Sequence, residues 1–417
     1  MPGSPTRHPA ILWADPAQAG WLAAVVERAG LAVVGVGSPE PGRAGALAAA
    51  MGLDLGATRV WDDLRAALAT GDANLVLLAA PGDFAGGQRQ GAMDSEDASA
   101  LAACRARGVR IASIEPMPAS VLQLSSAVPT PSIDAAPDEP AGDVIAASTG
   151  AGVVLGPGAL VVVDEPEPRV RGRAIDAGGG WARVLPLLRH CRAMREAADL
   201  FEHLGPVRTA VFEGWSGPGQ GTLGARLFDA MDTLVWLLGA PEQVDAAYVW
   251  HARARPIHAT TGETLRGLEG DLTANLRFAD GRAAAVAVSD RAGRWSRSVT
   301  LIGDGGRLRV TDDGAGGSGG GGGAGTGTGG FVWLSADGLT VDASRPARRK
   351  RGQEERPDEA LVDAASEQVA RLLDQRIPPP APTDYAAVLA AAGAALLSAR
   401  TGEAESPRTI LRMAGSR

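Results

Sequence analysis

Lysine is almost missing from this sequence. Among 417 residues there is a single one, Lys350, inside the basic run 345–351 (RPARRKR). Tyrosine and asparagine are also scarce, while alanine, arginine and glycine are common, as a GC-rich genome would give. Arginine can stand in for lysine at solvated positions. It cannot do so where a side chain must release a proton near neutral pH, because a guanidinium stays protonated. Cysteine is thin as well: Cys104 and Cys191 have no paired spacing, which excludes a disulfide framework and a zinc site and suggests a reducing compartment. No run reaches the ~18 apolar residues that span a bilayer. The first ten residues carry prolines and charges and no apolar leader. No membrane partner is therefore expected, and the cytoplasm is the expected location. A net charge of −8 leaves no general basic face, so nucleic acid is not an expected partner either.

What is present reads as two domains, since the length exceeds one ordinary core. Residues 10–13 are a short apolar run, and 20–29 (GWLAAVVERA) read as an amphipathic helix. A β-type run follows at 31–36 (LAVVGV), then helices at 41–51 and 61–69, a buried strand at 75–79, a helix at 95–107 and a strand at 109–114. Short apolar strands alternating with helices predict a doubly wound parallel sheet, a Rossmann-like α/β domain over residues 8–124. Residues 125–180, rich in Pro, Asp, Gly and Ala with one β-like run at 161–163, read as a partly disordered linker or insertion.

An α+β domain is expected over 181–410. It begins with a helix at 192–204, a strand at 207–212 and a long apolar helix at 225–238 closed by Gly239. Regularly spaced alternating segments between 244 and 310 then predict an open antiparallel sheet with one wet face. The glycine tract 314–330 reads as a flexible loop, since no strand and helix start hold it as a phosphate cradle. The run 345–351 reads as a solvated basic loop. Residues 359–373 and 385–399 read as amphipathic helices able to pack on either domain.

This order resembles the glucose–fructose oxidoreductase / inositol dehydrogenase / rhizopine-catabolism (Gfo/Idh/MocA) family, over about residues 8–124 and 181–410. Residues 75–81 (LVLLAAP) are similar to the family strand ending in Ala-Thr-Pro, and 111–116 (IASIEP) to the strand ending in Glu-Lys-Pro. Residues 221–239 (GTLGARLFDAMDTLVWLLG) look like the helix carrying the catalytic histidine and aspartate, and 398–402 (SARTG) like the end of the last helix. The resemblance implies NAD or NADP as cofactor, hydride transfer at the nicotinamide, a sugar-like or polyol ligand, and a homo-oligomer formed through the C-terminal sheet. It places the cofactor against Ala14, Asp15, Gly20, Ser38, Ala80, Pro81 and Pro116, and the substrate near Arg189.

The matching positions depart from the family in four ways. The phosphate loop reads Trp13-Ala14-Asp15-Pro16-Ala17-Gln18-Ala19-Gly20, without the first two glycines and with a carboxylate beside the diphosphate position. The ribose-holding acid is replaced by Gly37-Ser38. The lysine of Glu-Lys-Pro falls on Glu115, a reversal of charge. The histidine falls on Asp229, three residues before the retained Asp232. Glu115 could serve as a general base if burial raised its pKa. The three carboxylates Glu115, Asp229 and Asp232 could also converge and share a proton or a divalent cation, with capping or solvated carboxylates as the alternative. No metal is assigned. His203, His251 and His258 have no ligand spacing and read as surface or sheet residues. Two functions follow: an NAD(P)-dependent oxidoreductase using Glu115, Asp229 and Asp232, or a non-catalytic binding or assembly protein that keeps the shell. Four departures at four positions favour the second.

Overall fold

In the computed structural model the described residues are 7–80, 95–117, 182–249, 265–313, 329–343, 358–374, 376 and 383–415. The expectations for 125–180, for most of the glycine tract, for 345–351, and for Pro81, His251 and His258 lie outside them.

Alternation along the first strand explains how the N-terminal half assembles. In β1 (His8–Trp13), Ile11 and Trp13 belong to one buried cluster and Ala10 and Leu12 to another, so both faces of the strand are covered. There follow α1 (Ala19–Arg28), β2 (Leu31–Gly37), α2 (Ala44–Ala50), β3 (Arg59–Trp61), α3 (Leu64–Thr70), β4 (Leu75–Leu78), α4 (Ser95–Ala106) and β5 (Arg110–Ser113). The sheet is parallel throughout, in the order β3-β2-β1-β4-β5-β6. This is the doubly wound order, whose crevice opens beyond the strand ends between β1 and β4. The helix expected from Trp61 starts later: Trp61 ends β3, and Asp63 caps α3 by accepting from Arg65 N at 3.0 Å. The sixth strand, β6 (Ala182–Val184), is only three residues long and follows a loop-like stretch, which is why periodicity did not reveal it.

The second sheet has eight strands, ordered β14-β13-β12-β11-β7-β10-β9-β8. Before it, the helix expected over 192–204 is two short ones, α5 (Arg192–Glu196) and α6 (Leu200–Leu204). The chain then passes through β7 (Val207–Trp215) and α7 (Leu223–Leu238), and on through β8 (Gln243–Val249), β9 (Asp271–Arg277), β10 (Ala283–Ser289), β11 (Ser296–Gly303), β12 (Gly306–Asp313), β13 (Gly330–Ser335) and β14 (Thr340–Asp342). The sheet is antiparallel except where β7 and β10 run parallel. In β9 the strict alternation of exposed and buried residues gives the wet face that the sequence suggested.

Helix α7 is covered on almost every side: Leu223 through Leu234 are all buried, and it ends at Gly239, whose φ of +80° no β-carbon would favour. Each large apolar side chain buried there contributes about 1.5–3 kcal/mol. The helix packs on β7 and β10, and α9 (Tyr385–Thr401) lies against it. The preceding α8 (Glu359–Leu373) packs instead on α1, where Arg28 pairs with Glu359 and Asp363. A last helix, α10 (Pro407–Gly415), was not expected. Among the described residues no helix is long and apolar enough to cross a membrane.

The segment beginning at Leu265 crosses the first turn of α7 so closely that a β-carbon on Gly224 would stand 1.7 Å from the Leu265 carbonyl oxygen. Gly224→Ala is therefore expected to destabilise the protein by about 3 kcal/mol or more. An unchanged urea midpoint would show that this crossing yields freely.

Candidate interdomain site

At the exit of β1 the backbone turns into α1 through a single 3-10 turn, Pro16–Gln18. Asp15 caps it: its carboxylate accepts from Ala17 N at 2.8 Å, while Asp15 N donates to the Gln18 side-chain oxygen at 3.0 Å. Gln18 N donates to Asp15 O at 2.9 Å, Ala19 N donates to Pro16 O, and Pro16 has no N–H. Arg43 lies 3.1 Å from the Asp15 carboxylate. The donors with which such a helix entry could hold a diphosphate are thus engaged within the chain.

The neighbouring positions fit a dinucleotide no better. Gly20 is exposed, and an added β-carbon would meet nothing within 4 Å, so it is not a point of close approach. Ala14 is buried, its N–H donating to Gly37 O at 3.0 Å. At Gly37 a β-carbon would lie 2.2 Å from the Trp13 ring. Ser38 is buried, and its hydroxyl accepts from Glu40 N at 3.4 Å. Ala80 and Pro116, at the ends of β4 and β5, are bridged through their carbonyls by Arg266, at 3.3 and 3.0 Å. Among the described residues, this set does not fit the cofactor that the resemblance implies.

The second domain closes over the same place. Gln18, itself buried, donates from Nε2 to Ala79 O at 2.8 Å and to Gly219 O at 3.4 Å, and Trp21 Nε1 donates to Gly219 O at 2.9 Å. Beside this contact lies a cleft of about 410 Å3, whose polar walls are Gln18, Glu115, Thr222, Glu269, Asp290 and Arg291. Pro218 and glycines 217, 219, 221 and 293 complete its lining.

Glu115 is fully buried at this wall. Its two oxygens accept from Thr222 N at 2.9 Å and from Thr222 Oγ1 at 2.5 Å, so it anchors the cap of α7. Burial raises its pKa, against the lowering influence of Thr222 and Arg266. Asp290 supports the same helix start, accepting from Gly270 N at 3.0 Å and from the Leu223 backbone; burial raises its pKa too.

Further along α7 each carboxylate has its own arginine. Asp229 accepts from Leu188 N at 2.7 Å and from Arg297 at 2.6 Å. Arg297 also donates to Asp312 at 2.7 and 3.0 Å and to Pro186 O at 2.8 Å. Burial works against the Arg297 charge, but Asp229 and Asp312 outweigh it and hold the guanidinium protonated. Asp232 lies 2.8 Å from Arg189 Nε, close enough for an ion pair though not aligned as a hydrogen bond. Arg189 also donates to Thr383 Oγ1. Burial pushes the Asp232 carboxyl up to about 6, with Arg189 and Thr383 opposing it. The three carboxylates do not converge: Asp229 stands seven residues beyond Thr222, about 10 Å along the axis. Among the described residues, no three His, Cys, Asp or Glu side chains form a group that could hold a metal ion.

Sequence reasoning missed Gln18, Thr222, Arg226, Trp295 and Arg297. Only Arg226 left a signal, as a charge inside an apolar helical stretch three residues before Asp229. The partners of the others come from distant strands and loops.

No protein-family model matches the chain, and no curated protein matches it in sequence. Solved structures do match its fold. A scyllo-inositol dehydrogenase from Lactobacillus casei, with bound NAD(H) and scyllo-inositol, matches with a TM-score of 0.55 at 12% identity, over 97% of this chain and 100% of its own. An oxidoreductase from Agrobacterium radiobacter in complex with NAD+, L-tartaric acid and magnesium gives 0.55 at 14% identity, over 97% and 100%. A myo-inositol 2-dehydrogenase from Lactobacillus plantarum gives 0.54 at 12%, over 96% and 99%. The fold is that of the Gfo/Idh/MocA-type oxidoreductases.

Arg297→Met would leave Asp229 and Asp312 as buried charges without their cation, and is expected to destabilise by about 3–5 kcal/mol in urea denaturation. Asp232 gives a pH signature. Its folded pKa, about 6, lies above the ordinary 3.8. The folded state therefore holds the proton more tightly, and stability falls as pH rises between those values. Asp232→Asn is expected to reduce this fall by on the order of 2–3 kcal/mol. Parallel stability profiles for variant and wild type from pH 4 to 7 would rule the assignment out.

Proposed function

We propose that this chain uses the shell of the sugar and polyol oxidoreductases as a binding protein for a small sugar-like ligand, and does not carry out their hydride transfer. One observation carries the reading. The backbone donors at the entry of α1 are engaged by Asp15, Pro16 and Gln18, and that turn is tied by Gln18 and Trp21 to the Gly219 carbonyl of the second domain. A dinucleotide seated there would have to displace hydrogen bonds within and between the domains, beside the Asp15 carboxylate. The roles expected for Glu115, Asp229 and Asp232 change accordingly. Glu115 holds the cap of α7, and the two aspartates hold arginines inside the core. The cleft itself has the volume of a small-molecule site and polar walls suited to hydroxyl groups. Association of copies through the open face of the second sheet belongs to this proposal.

The second reading, an NAD(P)-dependent sugar or polyol oxidoreductase, draws on one feature: Glu115 is a carboxyl with a raised pKa on the cleft wall, as a general base would require. Titration of the full chain with NADH and NADPH, followed by nicotinamide fluorescence and calorimetry, separates the two. No saturable binding is expected up to about 1 mM, about −4 kcal/mol on the affinity scale. Micromolar binding of either dinucleotide would overturn the binding-protein reading.

A further inference from the structure

Hydrogen-bond donors and acceptors around the start of α7 are unequally used. Arg226 is 1% exposed, and its Nε and Nη1 find no acceptor among the described residues. Its Nη2 lies 3.3 Å from where a β-carbon on Gly221 would stand, so the missing side chain leaves the guanidinium directly behind the cleft wall. Trp295 is fully buried, its ring 5.4 Å from the Arg226 guanidinium carbon and 4.6 Å from that of Arg297, and its Nε1 also finds no acceptor among the described residues. The nearby carboxylates are engaged elsewhere: Glu115 by Thr222, Asp229 by Leu188 and Arg297, Asp290 by Gly270. Buried donors without acceptors are rare, and each calls for a partner. Here the N-terminus of a sixteen-residue helix adds a further positive potential.

We propose that the cleft takes a small polyhydroxylated carboxylate, its charged end reaching Arg226 where Gly221 leaves the wall thin. Trp295 Nε1, beside the Arg226 guanidinium, offers a further donor, and the hydroxyl groups of the ligand meet Gln18, Glu269 and Arg291 on the cleft walls. This deepens the ligand-binding reading above and rests on it. A planar guanidinium is the side chain best matched to a carboxylate.

The test is calorimetric titration of the full chain with D-gluconate and D-glucitol, the same six-carbon polyol with and without the carboxylate, at constant ionic strength. Gluconate is expected to bind at least tenfold tighter. Arg226→Gln should abolish the difference and Arg226→Lys keep part of it. Trp295→Phe, which keeps an aromatic ring but removes the five-membered ring with its N–H, gives a second readout if Arg226→Gln does not fold: it should weaken gluconate several-fold and leave glucitol unchanged. Equal binding of both polyols overturns the carboxylate assignment and leaves the ligand-binding reading standing. Binding of neither overturns both. A gluconate preference left undiminished by Arg226→Gln, or by Trp295→Phe, removes this pair from the site.

Discussion

Helix α7 is buried nearly all round while carrying Arg226, Asp229 and Asp232, and that constraint shapes the rest of the second domain. A charge taken out of water is tolerated only when other groups replace its hydration. The fold supplies those groups from far away in sequence. Arg297 comes from β11, Asp312 from β12, Arg189 and the Leu188 amide from the turn after β6, and Thr383 from just before α9. Each of these pairs fixes where a separate element sits against the helix. Removing a single member unbalances several contacts at once, because Arg297 alone bridges two carboxylates and a carbonyl.

The same accounting applies to the two helix starts that face each other across the domain boundary. A helix N-terminus leaves several amides to satisfy, and an enzyme can leave them open for a ligand phosphate. Here both starts are closed from within. Asp15 and Gln18 close the first, and Thr222, Glu115 and Asp290 close the second. Closing them also joins the domains: Gln18 and Trp21 reach Gly219, and Glu115 reaches Thr222. Arg226 stands apart in this scheme, because its Nε and Nη1, like the neighbouring Trp295 Nε1, find no acceptor among the described residues.

The layers of the fold were legible because they follow from local pattern. Apolar runs such as LVLL and the alternation in DLTANLR state their burial directly, and Gly239 marks the end of α7. Elements of three residues, such as β6, carry too little pattern to read. The break between α5 and α6 was hidden for a related reason: the residues on both sides favour helix, and tertiary packing decides between one helix and two. At the site, the departures from the family pattern were visible but their consequences were not. Asp15 looked like a charge that would repel a diphosphate, and in the structure it caps the turn that leads into α1. The ion pairs of Asp229 and Asp232 depend on Arg297 and Arg189, 68 and 43 positions away, which no spacing rule reaches.

The near-absence of lysine, the first oddity of the sequence, takes a physical meaning at residue 115. A lysine there would have only donors to offer. What the position meets is the start of α7, where the Thr222 N–H and hydroxyl both need an acceptor, and a carboxylate provides two oxygens in the right places. Lysine at 115 would leave those donors buried and unmatched, and would add a positive charge to a region that already holds Arg226 and Arg266. Glutamate at 115 therefore belongs with the domain closure seen at Gln18 and Gly219: both helix starts are closed from within the chain, and the strand ends of the first sheet meet the second domain through fixed hydrogen bonds.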